Sequence, residues 1–150
     1  MLTTIHYSLT TSTLTTNYYK NRRVLKMDNI GKFGEDIASK YLEEKGYKIK
    51  ERNYRTFLGE IDIIAEYKGS IIFVEVKTRR SDKFGYPEEA INFNKQQKII
   101  KNTLCYLAKY NLWKNNYCID VILVSISNNK DVKRIKHIKD AFYLNGKQSF

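Results

Sequence analysis

The chain has 150 residues, enough for one domain with a real core, since a chain of that length buries about two-thirds of the surface it exposes when unfolded. Its 27 lysines and arginines outweigh 16 acidic residues, a formal net charge of +11 that points to a polyanionic partner, nucleic acid being the commonest. No apolar run approaches the roughly 18 residues needed to cross a bilayer, which argues against a membrane protein.

Residues 1–26 differ in kind from the rest. They hold seven threonines, two serines and no acidic residue, and they finish in Lys20, Arg22, Arg23 and Lys26. Such a segment buries too little apolar surface to offset its ordering entropy, so disorder is expected. Its hydroxyl-rich, basic character also resembles an organelle transit peptide. A third reading, favoured by the helix start that follows at once, takes Met27 as the initiator and residues 27–150 as a single domain.

From Ile30 to Lys45, apolar residues recur at Ile30, Phe33, Ile37, Ala38, Tyr41 and Leu42, the spacing of an amphipathic helix. Asn29 is the expected N-cap and Gly46 the expected stop. Glu35 falls on the margin of the buried stripe. It either aims at the strands that follow or stays solvated beside Lys32 or Ser39.

Tyr47 to Tyr54 reads as a first strand. Two further strands, Gly59-Glu60-Ile61-Asp62-Ile63-Ile64-Ala65 and Ile71-Ile72-Phe73-Val74-Glu75-Val76-Lys77, flank a turn at Lys68-Gly69. With those two residues at the centre of the turn, Asp62 falls opposite Glu75 and Glu60 opposite Lys77. Facing Cβ atoms lie roughly 5 Å apart. Two carboxylates at that distance repel by about 3 kcal/mol at an effective dielectric of about 20. Glu75 also interrupts an apolar run of the kind that is covered on both faces, which adds a desolvation cost.

A hard divalent cation held by Asp62 and Glu75 would remove both costs, and Mg²⁺ commonly takes one or two protein carboxylates with water and phosphate oxygens. The alternative places both acids on an exposed face, with Glu75 bonded to a neighbouring lysine. A three-residue loop would instead put them on opposite faces.

Residues 78–94 are irregular and carry Arg79, Arg80 and Lys83, a basic loop placed to touch a phosphate backbone, though solvated charge explains it nearly as well. Asn94 to Asn111 reads as a second helix with a capping box formed by Asn94 and Gln97. Lys95, Lys98 and Lys101 make its first half basic. Gln96 lies on its inward face and needs a partner there. Tyr117 to Ile126 is a buried strand with one polar intruder, Asp120. His137 to Leu144 reads as a last edge strand, with a frayed tail beyond Gly146.

Cys105 and Cys118 have no Cys-x-x-Cys or Cys/His pattern and read as small buried thiols of a reducing compartment, which favours a cytoplasmic location. His6 and His137 lack metal-ligand spacing and read as bystanders. The twelve tyrosines serve core edges more often than base stacking.

A helix glutamate, then Gly-Glu-Ile-Asp, then Glu-Val-Lys resembles the PD-(D/E)xK nuclease superfamily, also called restriction-endonuclease-like. More closely, Gly31-Lys32-Phe33-Gly34-Glu35, Gly59 to Ala65, Phe73 to Arg79 and Lys95-Gln96 are similar to the bacterial YraN-like family, described as distantly like Holliday-junction resolvases. Ile61 stands where the superfamily's name has proline, and Cys118-Ile119 precede Asp120 where the family more often has Arg-Phe.

The resemblance implies an α/β fold with a restriction-endonuclease-like mixed central sheet flanked by helices, in an αβββαβ core. It implies Asp62 and Glu75 as metal ligands, with the Val76 carbonyl a third and Glu35 joining through metal or water. Lys77 would orient or activate the attacking water. The implied cofactor is Mg²⁺ or Mn²⁺, and the implied activity is endonucleolytic cleavage of DNA, branched DNA included, in recombination, repair or uptake.

Arg79, Arg80, Lys83, Lys95, Gln96 and Lys98 are the expected nucleic-acid contacts. A homodimer is expected because paired strand cuts suit two-fold symmetry. The rival reading is a nucleic-acid-binding protein whose nuclease site is vestigial, and a weaker third is a protein-interaction adaptor on the same fold.

Overall fold

The computed structural model describes the backbone of residues 2–5 and, with side chains, residues 29–80, 91–127 and 131–142. The first helix, α1 (Ile30–Glu44), begins where Asn29 Oδ1 accepts the Lys32 N–H at 3.2 Å. It ends at Gly46, whose φ of +85° lets the chain turn back while its N–H reaches the Glu43 carbonyl. Three antiparallel strands follow: β2 (Lys48–Thr56), β3 (Gly59–Tyr67) and β4 (Ser70–Arg79). Then come α2 (Phe93–Lys109), β5 (Tyr117–Ile126) and β6 (Val132–Ile138).

The strands form one mixed sheet. Its order is β1-β6-β5-β4-β3-β2, where β1 is Leu2–Ile5, and among the described strands only the β4–β5 pairing is parallel. With one of the two described helices on each face, the architecture is mixed α/β and consistent with a restriction-endonuclease-like fold. Leu2–Ile5 belong to the segment expected to lack order, yet pair with β6; the rest of residues 1–26 lies outside the described residues. Pairing with β1 also means that β6 is not the edge. It closes at Ile138 rather than running on to Leu144, because Asp140 turns at φ +51° and the Ala141 N–H goes to the Ile119 carbonyl at 2.7 Å. Residues 143–150 lie outside the described residues.

The two faces have separate cores. On one, Phe33, Ile37 and Leu42 of α1 pack on Ile63, Val74 and Ile122. On the other, Ile99, Ile100 and Leu107 of α2 pack on Ile64, Phe73 and Val121. Each fully buried aliphatic side chain contributes about 1.5–3 kcal/mol relative to exposure. These layers fix the orientation of the strand ends between the helices.

The second helix starts earlier than expected. Its N-cap is Asn92, which accepts the Lys95 N–H at 2.9 Å, so Asn94 lies inside the first turn. Both asparagines are capable caps, and the burial of Ile91 in the α2-side core selects the earlier one. That phase also satisfies buried Gln96, whose amide donates to the Ile91 carbonyl at 3.0 Å. No helix among the described residues is long and apolar enough to cross a membrane.

Candidate functional site

Lys68 and Gly69 both have positive φ, 49° and 79°, as a two-residue type I′ hairpin requires, and Tyr67 pairs with Ser70 across them. The expected register follows: Ala65 opposite Ile72, Ile64 opposite Phe73, Ile63 opposite Val74. There the ladder stops. Asp62 and Glu75 are the next pair in register but not a rung of the sheet, and neither are Glu60 and Lys77.

Beyond that point the two strands keep different company. The first half of β3 stays with β2 through Ile61 opposite Tyr54 and Gly59 opposite Thr56. The second half of β4 stays with β5 from Glu75 opposite Val121 to Arg79 opposite Ser125. A fork therefore opens in mid-sheet. The alternation of β3 changes phase at the same place, since Ile61 joins the α2-side core while Ile63 joins the α1-side core. Asp62 sits at this change and accepts the Val76 N–H at 2.7 Å, so its carboxylate bridges the fork.

Asp62 and Glu75 are buried, 7 % and 5 % exposed. Burial, and then the nearby Glu75 charge, push the Asp62 carboxyl up to about 7, against the opposing Val76 N–H. Burial raises Glu75 as well, and the adjacent Lys95 ammonium offsets this only in part. Lys95 Nζ lies 3.0 Å from Glu75 Oε1, while Glu75 Oε2 is buried with no hydrogen-bond partner among the described residues. Burial alone would lower the Lys95 ammonium, but Glu75 outweighs it and holds the group above its ordinary value.

Two helices bring the flanking groups. Gly34 of α1 sits so close to β4 that a Cβ there would lie 2.8 Å from Thr78 Cβ, and this approach delivers Glu35 to the fork. Glu35 Oε2 accepts the Asn53 amide at 2.7 Å, and its charge adds to the raising of Asp62. One residue on, Asp36 pairs with Arg52 at 2.7 Å, tying α1 to β2. The first turn of α2 supplies Lys95.

The structure thus brings Asp62, Glu75, Val76 and Lys95 together and places Glu35 beside them. Lys77 is exposed, although its charge is felt by Glu75. Arg79 is half-buried, Arg80 and Lys98 are exposed, and Lys83 lies outside the described residues. Among the described residues, no group of three or more histidine, cysteine, aspartate or glutamate side chains is gathered as a metal site, so the acidic centre is a pair.

Sequence reasoning assigned Lys95 to nucleic acid and missed its direct contact with Glu75. A cap at Asn94 would have turned Lys95 away from the strand, and with the cap at Asn92 it meets Glu75. His137 is no bystander: Nε2 lies 2.7 Å from Asp120 Oδ2, with both residues 2 % exposed. His6 lies outside the described residues.

Residues 34–124 match the model of the family described as Uncharacterised protein family UPF0102. The chain belongs to UPF0102. It is similar to a UPF0102 protein of Caldanaerobacter subterraneus, 47 % identical over 114 residues that cover 75 % of this chain and 93 % of that protein. A UPF0102 protein of Syntrophus aciditrophicus is 51 % identical over 114 residues, covering 76 % and 88 % of the two chains. One of Alkaliphilus metalliredigens is 50 % identical over 115 residues, covering 76 % and 97 %. The UPF0102 match spans α1 to β5 and so contains Glu35, the fork and Lys95.

Proposed function

We propose that this UPF0102 protein is a Mg²⁺- or Mn²⁺-dependent endonuclease of the PD-(D/E)xK type that hydrolyses phosphodiester bonds in DNA, branched DNA included. The observation that carries this reading is the buried acid pair: Asp62 and Glu75 at a fork in the sheet, with Glu75 Oε2 unpartnered. A fold does not bury two mutually repelling carboxyls for stability, and such perturbed groups mark functional sites.

The donor set fits a hard divalent cation. Asp62 and Glu75 would hold it, with the Val76 carbonyl and Glu35 as further oxygen donors, and two protein carboxylates suffice for Mg²⁺ when water and phosphate complete the shell. Once bound, the cation supplies a lowered pKa for bound water and neutralises charge developing on the phosphate. The chain's own residues do the rest. The Val76 N–H fixes the Asp62 carboxylate, and exposed Lys77, whose charge is felt by Glu75, would orient the attacking water. Exposed Arg80 and Lys98, with Arg79 between core and surface, line the approach of a phosphate backbone. A reducing cytoplasm, where Cys105 and Cys118 stay free thiols, and a homodimer that cuts paired strands belong to the same reading.

A second reading has its own support. Lys95 already neutralises one oxygen of Glu75, so the ammonium occupies charge that a cation would otherwise meet. Cleavage of labelled four-way junction, flap, single-stranded and duplex DNA with Mn²⁺ or Mg²⁺ separates the two. Metal-dependent cutting that disappears in Asp62→Ala and Lys77→Ala supports the nuclease. Absence of cutting by the wild type, with salt-sensitive DNA binding intact, transfers the assignment to the binding protein.

A further inference from the structure

We propose that Phe57, at the tip of the β2–β3 hairpin, is a stacking ring for an unpaired base of the nucleic acid whose backbone lies at the carboxylate pair. This rests on the nucleic-acid reading above and adds the kind of substrate.

Phe57 and Leu58 form the connection beyond the last rung, Thr56 opposite Gly59. Turns of this length favour glycine, asparagine and aspartate, so an apolar pair at the tip is out of keeping with the turn itself. The Phe57 side chain is 89 % exposed, the most exposed large apolar group among the described residues.

The tip is held firmly all the same. The Thr56 hydroxyl donates to Asn102 Oδ1 in the middle of α2 and accepts the Leu58 N–H at 3.0 Å. Gly59, at φ +141°, lies so close that a Cβ would come within 3.3 Å of Asn102 Nδ2. Asn102 itself is buried. A ring presented on a pinned turn gives up little freedom when it binds, which favours affinity.

Charge indicates the occupant. Lys95, Lys98 and Asn102 follow one another at i, i+3 and i+7 on α2, so two lysines lie on the side of the helix that joins Glu75 to the pinned hairpin. Lys101 is exposed beside it, and Arg55, just before the tip, is exposed and lies 3.5 Å from Glu60. The ring shares the tip with half-buried Leu58 and follows exposed Arg55, an apolar pair far smaller than a protein-docking patch. It does match the combination by which single-stranded nucleic acid is bound, a cationic track with aromatic platforms. From Gly59, the first strand residue after the tip, three steps of extended chain lead to Asp62, about 10 Å. That span corresponds to about three nucleotides of stacked strand between the tip and a phosphate at the fork.

The test is fluorescence anisotropy without divalent metal on labelled single-stranded, forked and blunt duplex DNA, so that cutting plays no part. Phe57→Ala is expected to weaken single-stranded and forked DNA about 10-fold and duplex less than about twofold, with Phe57→Trp close to wild type. A 2-aminopurine base in the single strand should be quenched by wild type and not by Phe57→Ala. Unchanged affinity of Phe57→Ala for all three DNAs overturns the stacking role alone. Wild type that binds none of them overturns both this role and the nucleic-acid reading. Full binding without metal-dependent cutting overturns only the nuclease. A change of mass in light scattering for Phe57→Ala, with DNA binding unaltered, would assign the ring to contact between copies of the chain and overturn the proposal.

Discussion

The Asp62 carboxylate accepts the Val76 backbone N–H at 2.7 Å, across the gap where β3 and β4 separate. A donor that a continuing ladder would have satisfied is thus taken by the side chain most strained by burial. The bond lowers Asp62 but does not outweigh desolvation and Glu75, and the carboxyl stays near 7.

The first prediction follows from that balance. Between about pH 4 and pH 7 the folded protein keeps a proton on Asp62 that the unfolded chain has released, so stability falls as pH rises through this window and then levels off. Asp62→Asn removes the penalty. Urea unfolding of metal-free protein should show the variant more stable than wild type at pH 8, by up to about 4 kcal/mol, and equal to it near pH 4. Equal stability at both pH values would mean that Asp62 is ionised without cost.

Divalent metal should act in the opposite direction. If Asp62 and Glu75 hold a cation, Mn²⁺ at about 100 times its dissociation constant adds about 2.7 kcal/mol to the folded state. Thermal melts at pH 8 should rise with Mn²⁺ for wild type and stay flat for Asp62→Asn and Glu75→Gln. A rise that persists in both variants would place the binding elsewhere.

Lys95 offers a third check. Its side chain is 41 % exposed, so solvent screens the pair, and Lys95→Met should cost only about 1 kcal/mol at pH 8. The loss should shrink at low pH, as Glu75 takes up a proton, and vanish in the Glu75→Gln background. Additive losses in the double variant would show that the two side chains are not coupled.

Much of this was legible in the chain, for reasons that are local. Lys68-Gly69 set the hairpin register, Asn29 and Gly46 bounded α1, and the apolar run around Asp120 marked β5. The fork was not legible, because a ladder's end depends on how α1 packs through Gly34 and where α2 begins. Asn92 and Asn94 compete as caps on equal local terms, and only the burial of Ile91 separates them. The Lys95 contact with Glu75 depends on that choice, since a shift of two residues would rotate the lysine away from the strand. Asn102 under the hairpin and His137 on Asp120 join residues far apart in sequence, where no spacing rule applies.

That last pair yields a stability prediction independent of function. Asp120 accepts from His137 on one oxygen and from the Asp140 N–H on the other at 2.8 Å, so the carboxylate is fully engaged beneath Tyr41 and Tyr47, whose rings lie 5.8 Å from the imidazole. Removing the imidazole leaves a buried carboxylate with half its partners and a void between the rings. His137→Ala should therefore lose about 3–5 kcal/mol in denaturant unfolding. His137→Gln, which keeps a donor for Asp120, should lose less, and Asp120→Asn in the His137→Ala background should recover part of the loss by removing the stranded charge. A loss that Asp120→Asn leaves untouched would show that packing of the ring, and not its bond to Asp120, is what holds β6 against β5.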